Sequence, residues 1–252
     1  MPSFTDEQLE RYKRNLLLKE IGPSGQRLIA KAKVLVIGCG GLGSPIALYL
    51  AASGIGTLGL ADGDNVELSN LQRQIIHTTK DIGKNKARSA TDKISSLNPF
   101  VKTIPYPEMI TEKNASSIIK GYDFVLDATD NFASKFLIND ACIKQLIPFS
   151  HAGISEYSGQ TMTVLPQHSA CYRCVFGEIP PPEPPAPAGP LGVVPGILGS
   201  VQAAECLKFI LHINPLLTNT LLTFDIKTMN FRKIPLTRNP SCKTCKESNH
   251  AV

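Results

Sequence analysis

The run Lys33-Val34-Leu35-Val36-Ile37, followed at once by Gly38-Cys39-Gly40-Gly41-Leu42-Gly43, constrains the fold of this chain more than any other stretch. The first five residues, mostly apolar and β-branched, read as a buried parallel strand. Leu42 to Ser53 has the length and apolar spacing of a helix. A glycine turn between strand and helix lets the backbone approach phosphate closely. The helix N-terminus adds free N–H groups and the positive end of its dipole. An open α/β sheet with a phosphate-bearing ligand at the strand's carboxyl end follows from this spacing. Taken alone, the glycines also fit a tight turn without a ligand.

The surroundings narrow the choice. A second strand, Thr57 to Ala61, ends at Asp62, where a carboxylate can accept hydrogen bonds from ribose hydroxyls. Asp62-Gly63 by itself also reads as a strand-end turn. Downstream, Asn70, Arg73 and Lys86 supply a polar amide and two cations. A dinucleotide site holds two bridged phosphates, and a third phosphate calls for this additional positive charge. Another apolar strand, Phe124-Val125-Leu126, closes with Asp127-Ala128-Thr129-Asp130-Asn131, which brings Asp130 to the same crevice. A strand-end carboxylate opposite a cation cluster suits magnesium, which binds through one or two carboxylates plus substrate phosphates.

The seven cysteines form two groups. Cys171-x-x-Cys174 and Cys242-x-x-Cys245 have the spacing that sets four thiolates around a tetrahedral zinc. With every position taken by a thiolate, such a zinc is structural. Cys39, Cys142 and Cys206 lie among apolar neighbours and read as small core residues. The 252 residues, 42% hydrophobic and 19% charged, suit one compact globular enzyme, and the formal charge of +5 is too diffuse to argue nucleic-acid binding. A basic-then-apolar leader and a bilayer-spanning stretch are not expected, which points to the cytoplasm. Thr5-x-x-Gln8 is a capping-box pattern ahead of a first helix. The five histidines show no metal or catalytic spacing.

Beyond the glycine turn the pattern alternates strand and helix. Helices are expected over 84–97, 111–120 and 131–145, with strands at 101–104 and 147–150. A β-rich part follows at 159–165, a proline-rich spacer interrupts at 179–190, and a helix opens at Pro195 and runs to Leu211. Strands at 221–226 and 229–235 lead into the second cysteine pair.

Together, Arg11-Tyr12-x-Arg14-Asn15, Gly38-x-Gly40-Gly41-Leu42-Gly43, Asp62-x-Asp64, Ser69-Asn70-Leu71-x-Arg73-Gln74, Lys86, Asp127-x-Thr129-Asp130-Asn131 and the cysteine pairs resemble the bacterial MoeB/ThiF/HesA adenylyltransferases, relatives of ubiquitin-activating enzymes. The resemblance runs through nearly the whole chain. It implies a single E1-like adenylation domain over 1–252, with a Rossmann-like, mostly parallel sheet flanked by helices. It also implies an N-terminal helical region at 1–30, a crossover loop at 179–195 and a β-rich, zinc-stapled C-terminal part at 171–245.

The implied reaction is ATP- and magnesium-dependent adenylation of a small β-grasp sulfur-carrier protein ending in Gly-Gly, with sulfur delivered by a separate donor. The implied nucleotide site comprises Gly38, Gly40, Gly41, Leu42, Gly43, Asp62, Asp64, Asn70, Arg73, Gln74, Lys86, Asp130 and Asn131. Within it, Arg73 and Lys86 attend the phosphates and Asp130 the magnesium, while Arg14 reaches the triphosphate of a neighbouring subunit, so a homodimer is expected. Many relatives carry a loop cysteine shortly before the residues matching Ala188-Gly189; here Pro185 stands near that place. That departure argues against a covalent carrier link and leans toward a molybdopterin rather than a thiamine carrier. Three other readings stay open: a member that adenylates a tRNA base carboxylate, a non-catalytic scaffold, and an NAD-dependent oxidoreductase. The last leaves Arg73, Lys86, Asp130 and the cysteine pairs unexplained.

Overall fold

A computed structural model describes residues 4–180 and 189–245. Most of the proline-rich spacer, with Pro185 and Ala188, lies outside the described residues. The chain opens with helix α1 (Asp6–Arg11), capped reciprocally by Thr5 and Gln8 as the sequence pattern requires, then α2 (Lys13–Leu16) and α3 (Gly22–Lys31).

Strands β1 (Lys33–Ile37), β2 (Thr57–Ala61), β3 (Lys102–Tyr106), β4 (Phe124–Asp127) and β5 (Phe149–Ser155) pair in parallel. Three antiparallel strands extend the sheet: β6 (Ser158–Val164), β7 (Thr220–Asp225) and β8 (Asn230–Pro235). The order across the sheet is β3-β2-β1-β4-β5-β6-β7-β8. Because the chain leaves β1 for β2 on one side and returns to β4 on the other, a crevice opens where their carboxyl ends diverge.

Alternation along the strands explains the layers. Val34, Val36, Phe124 and Leu126 face one core, shared with Ile29 of α3, α4 (Gly43–Ala52), α5 (Lys86–Leu97) and α9 (Val193–Ile210). Leu35, Ile37 and Val125 face a second core, shared with α6 (Ala115–Ile119) and α7 (Phe132–Gln145). With both faces covered, β1 and β4 are apolar on both sides, as buried parallel strands are. A short helix, α8 (Tyr172–Phe176), carries part of the first cysteine pair.

Three expectations need adjustment. Strand β3 continues to Tyr106 through Pro105, because it is a sheet edge where a missing N–H breaks no ladder. Helix α6 begins at Ala115 rather than Thr111, since Asn114 Oδ1 accepts from the Thr111 N–H (2.7 Å) and hydroxyl (3.0 Å), holding that stretch in a turn. Contrary to the expectation of no bilayer-length stretch, α9 is long and apolar enough to cross one, with a mean hydropathy of 1.3. Half of that window is buried inside the fold, against α4 and β5, which accounts for its composition as a core helix.

Candidate active site

At the carboxyl ends of β1 and β4 lies a cavity of about 1020 Å³. Its floor is the glycine turn. Gly38 takes φ +99°, a conformation that favours glycine, and an added Cβ there would sit 2.6 Å from Ala128 O at the end of β4. Gly38, Gly40, Gly41 and Leu42 line the cavity, and α4 begins immediately behind them. Gly43 does not line it. A Cβ there would meet Gly38 O at 1.9 Å, so this glycine lets the helix pack against the turn.

Asp62 is held open toward the cavity by backbone N–H groups: Cys39 donates to Oδ2 (2.8 Å) and Asp64 to Oδ1 (2.9 Å). Burial pushes its carboxyl above the usual range, against the pull of these donors. Lys86, buried at the first turn of α5, donates to Asp64 Oδ2 at 3.1 Å. Asn85 caps that helix and donates to the Asp62 and Asp64 carbonyls, tying Lys86 to the end of β2. Arg73 is braced by Ser69 O at 3.3 Å, and Gln74, nearly buried, lies beside Gly40.

On the opposite wall stand Asp130, exposed, and Asn131, the N-cap of α7. No ion pair engages Asp130 among the described residues. The structure thus brings Gly38, Gly40, Gly41, Leu42, Asp62, Asp64, Arg73, Gln74, Lys86, Asp130 and Asn131 to one cavity. It does not bring Asn70 there: that side chain is buried, with Oδ1 accepting from the Glu67 N–H at 3.1 Å, and it shapes the turn leading to Arg73. Arg14 lies on α2, exposed and outside the cavity of its own chain.

Sequence reasoning missed a buried polar cluster in the same wall. Asp127 accepts from the Thr129 N–H (3.0 Å) and hydroxyl (2.6 Å), from Lys135 Nζ (3.4 Å) and from His151 Nδ1 (3.0 Å). Burial opposes the charge, but Lys135 and His151 hold this carboxyl down to about 2. Burial and Lys135 bring the His151 ring to about 4, so it is neutral near pH 7. Lys135 also donates to the Thr129 and Ala152 carbonyls, both at 2.6 Å. Lys135, His151 and Tyr172 all line the cavity. No sequence signal marks this cluster, because the parallel register that sets Asp127 beside His151 exists only in the assembled sheet.

The four paired cysteines converge as their spacing predicted, with their Sγ atoms all within 4.8 Å of one another. Three of the Sγ–Sγ distances are 3.7, 3.7 and 3.4 Å. A tetrahedral zinc with bonds of about 2.3 Å has edges of about 3.8 Å, so the cluster fits that ion. Cys39, Cys142 and Cys206 are buried in the core.

Fold and site define a nucleotide-binding α/β domain whose crevice runs on from the glycine turn to the antiparallel wing, past Gln160, Thr223 and Arg232. The ThiF family model matches residues 12–244. A sulfur carrier protein adenylyltransferase from Thermus thermophilus is 41% identical, over 96% of this chain and 92% of that protein. A SAMP-activating enzyme E1 from Haloferax volcanii is 42% identical, over 97% and 92%. An adenylyltransferase and sulfurtransferase MOCS3 from Mus musculus is 44% identical over 96% of this chain but 54% of its own length. Among solved structures, E. coli MccB with MccA-N7isoASN shares the fold, with a TM-score of 0.86 at 24% identity over 95% of this chain and 75% of that one. The chain belongs to the ThiF family, and is an adenylyltransferase of that family.

Proposed function

We propose that this protein uses ATP and magnesium to adenylate the C-terminal glycine carboxylate of a small β-grasp sulfur-carrier protein, releasing pyrophosphate. The observation that carries this reading is the single cavity in which Arg73 and Lys86 share a wall system with the glycine turn and Asp130, and which continues beyond them over β5 to β8. The names of the Thermus and Haloferax relatives support a carrier protein as substrate. The residue identity at Pro185 favours a molybdopterin-type carrier, and the cytoplasm is the compartment in which such a reaction would run.

The chemistry follows from charge. An α-carboxyl titrates at roughly 3.3–3.7, so the carrier's chain end is ionised at neutral pH and needs no general base. Catalysis has to bring two anions together and stabilise the charge leaving on pyrophosphate, which fixed cations and helix N-termini do. Asp62 accepts the ribose hydroxyls, and the N–H groups at the start of α4 face the phosphates. Lys86 and Arg73 carry their charge, and Arg14 is supplied by a second copy of the chain. Asp130 would hold magnesium, whose charge would neutralise phosphate oxygens. The cysteine cluster would hold a structural zinc.

The test is ATP–pyrophosphate exchange dependent on the carrier. Asp130→Ala is expected to abolish exchange while the protein stays folded and dimeric. Undiminished exchange in that variant would remove Asp130 from the reaction. Carrier-independent exchange stimulated by tRNA would favour the base-carboxylate alternative instead.

A further inference from the structure

Four strand spacings separate the ends of the crevice and divide it between two ligands. Strands β2, β1, β4, β5 and β6 lie side by side in that order, about 4.8 Å apart. Asp62 follows β2 and Gly38 follows β1, whereas His151 is on β5 and Gln160 on β6. His151 is therefore roughly 14 Å across the sheet from β2. A nucleotide with its ribose at β2 and its phosphates at β1 and β4 leaves β5 and β6 to the second substrate.

At that place His151 offers an unused atom. Its Nδ1–H donates to Asp127, an acceptor already filled with donors from Thr129 and Lys135, so the proton on the neutral ring is fixed at Nδ1. Nε2 then carries a lone pair, is buried, and has no partner among the described residues. The ring is 1% exposed and lines the cavity. Beside it stands Gly153, whose missing Cβ would lie 3.9 Å from Nε2 and 3.7 Å from the Gln160 side chain. An acceptor and an amide thus lie on either side of the place that a side chain at position 153 would fill.

We propose that His151 Nε2 accepts a hydrogen bond from the last peptide N–H of the acyl substrate. The site would thereby select a carboxylate borne on a backbone amide, a glycyl chain end, over a simple carboxylic acid. This rests on the adenylation reading above. A buried acceptor recognises its donor strongly, because an analogue lacking the donor leaves it unpaired.

The test uses the full chain and the Gly-Gly-ended β-grasp carrier of the same genome, made semisynthetically with its last peptide bond intact or replaced by an ester. The ester removes the N–H and keeps the chain length. Carrier KM in pyrophosphate exchange is expected to rise about tenfold with the ester, with ATP KM unchanged. His151→Asn keeps a donor toward Asp127 but has no atom at the Nε2 position. It should show the same loss with the intact carrier and no further loss with the ester. Additive losses, or a shift in ATP KM instead of carrier KM, overturn the proposal. So does a wild-type enzyme that treats ester and amide alike, a result that stands whether or not the variant folds. No exchange with the intact carrier in the wild type defeats the adenylation reading itself, and the proposal with it.

Discussion

Alanine substitutions within the glycine turn should separate a folding role from a ligand role. At Gly43 the added Cβ would lie 1.9 Å from Gly38 O and 2.9 Å from its carbon. Both obstacles are backbone, so neither can rotate away as a side chain would. Restoring even 3.0 Å to the oxygen requires α4 and the turn to part by about 1.1 Å, at a junction where Gly43 is buried and Gly38 half-buried. Overpacking of this kind costs about 1–3 kcal/mol, occasionally more, and a backbone-on-backbone clash belongs at the upper end. We expect Gly43→Ala to lose about 3 kcal/mol.

Gly40 is the converse case. Its Cβ would stand 3.4 Å from the Gln74 amide, ordinary contact distance, so Gly40→Ala should stay within about 0.5 kcal/mol of the wild type. Yet Gly40 lines the cavity, and a methyl group there would hold phosphate away from the turn's N–H groups. ATP KM should therefore rise in Gly40→Ala. Urea unfolding at one fixed protein concentration gives the stabilities, with the m-value checked for constancy. A wild-type midpoint for Gly43→Ala would refute the argument, as would a Gly40→Ala protein that unfolds early but keeps its ATP KM.

Arg14→Ala and Arg73→Ala homodimers should each be nearly inactive, while their heterodimer, with both lesions in one site and none in the other, should recover up to about half of wild-type activity. Background activity in verified heterodimers would place Arg14 in its own chain's site. Cys171→Ser or Cys242→Ser should release about one zinc per chain and lower the melting temperature, because metal binding is coupled to folding; metal analysis of the wild type checks this directly. His151, neutral in the fold down to about 4, should cost stability as acid protonates the unfolded chain first. Between pH 6.5 and 4 the unfolded state binds the extra proton, so about 3 kcal/mol is lost over that window. Asp127 adds a further loss below its ordinary range, toward pH 2. Urea titrations across pH should show the first slope in the wild type and not in His151→Asn.

What the sequence disclosed and what it hid differ in kind. Lys33–Ile37, the glycines and the paired cysteines announce themselves because their geometry is local: a strand running into a turn, or two ligands three residues apart. Asp127, Lys135 and His151 come from β4, α7 and β5, and only sheet pairing unites them. A lone histidine in the apolar run before Ala152 carries no periodic signal. Gly43 and Asn70 sit inside motifs that suggest ligand contact, yet burial turns one toward helix packing and the other toward a turn. Pro105 hid the end of β3, because whether a strand lies at an edge is a property of the finished sheet.

The reversal of strand direction at β6 has an evolutionary consequence. From β5 onward the chain turns back on itself twice on the cavity side, between Ser155 and Ser158 and between Asp225 and Asn230. Ser155 and Ser158 beside the first bend, and Asp225, Thr228 and Asn230 at the second, line the far half of the crevice. Loop tips are where insertions are accepted most readily, and neither hairpin touches the register of β1, β2 and β4. A lineage can thus lengthen or recharge these two bends to greet a different protein while the half that reads the nucleotide stays as it was. Recognition of the acyl partner is, in this architecture, free to drift at the rim.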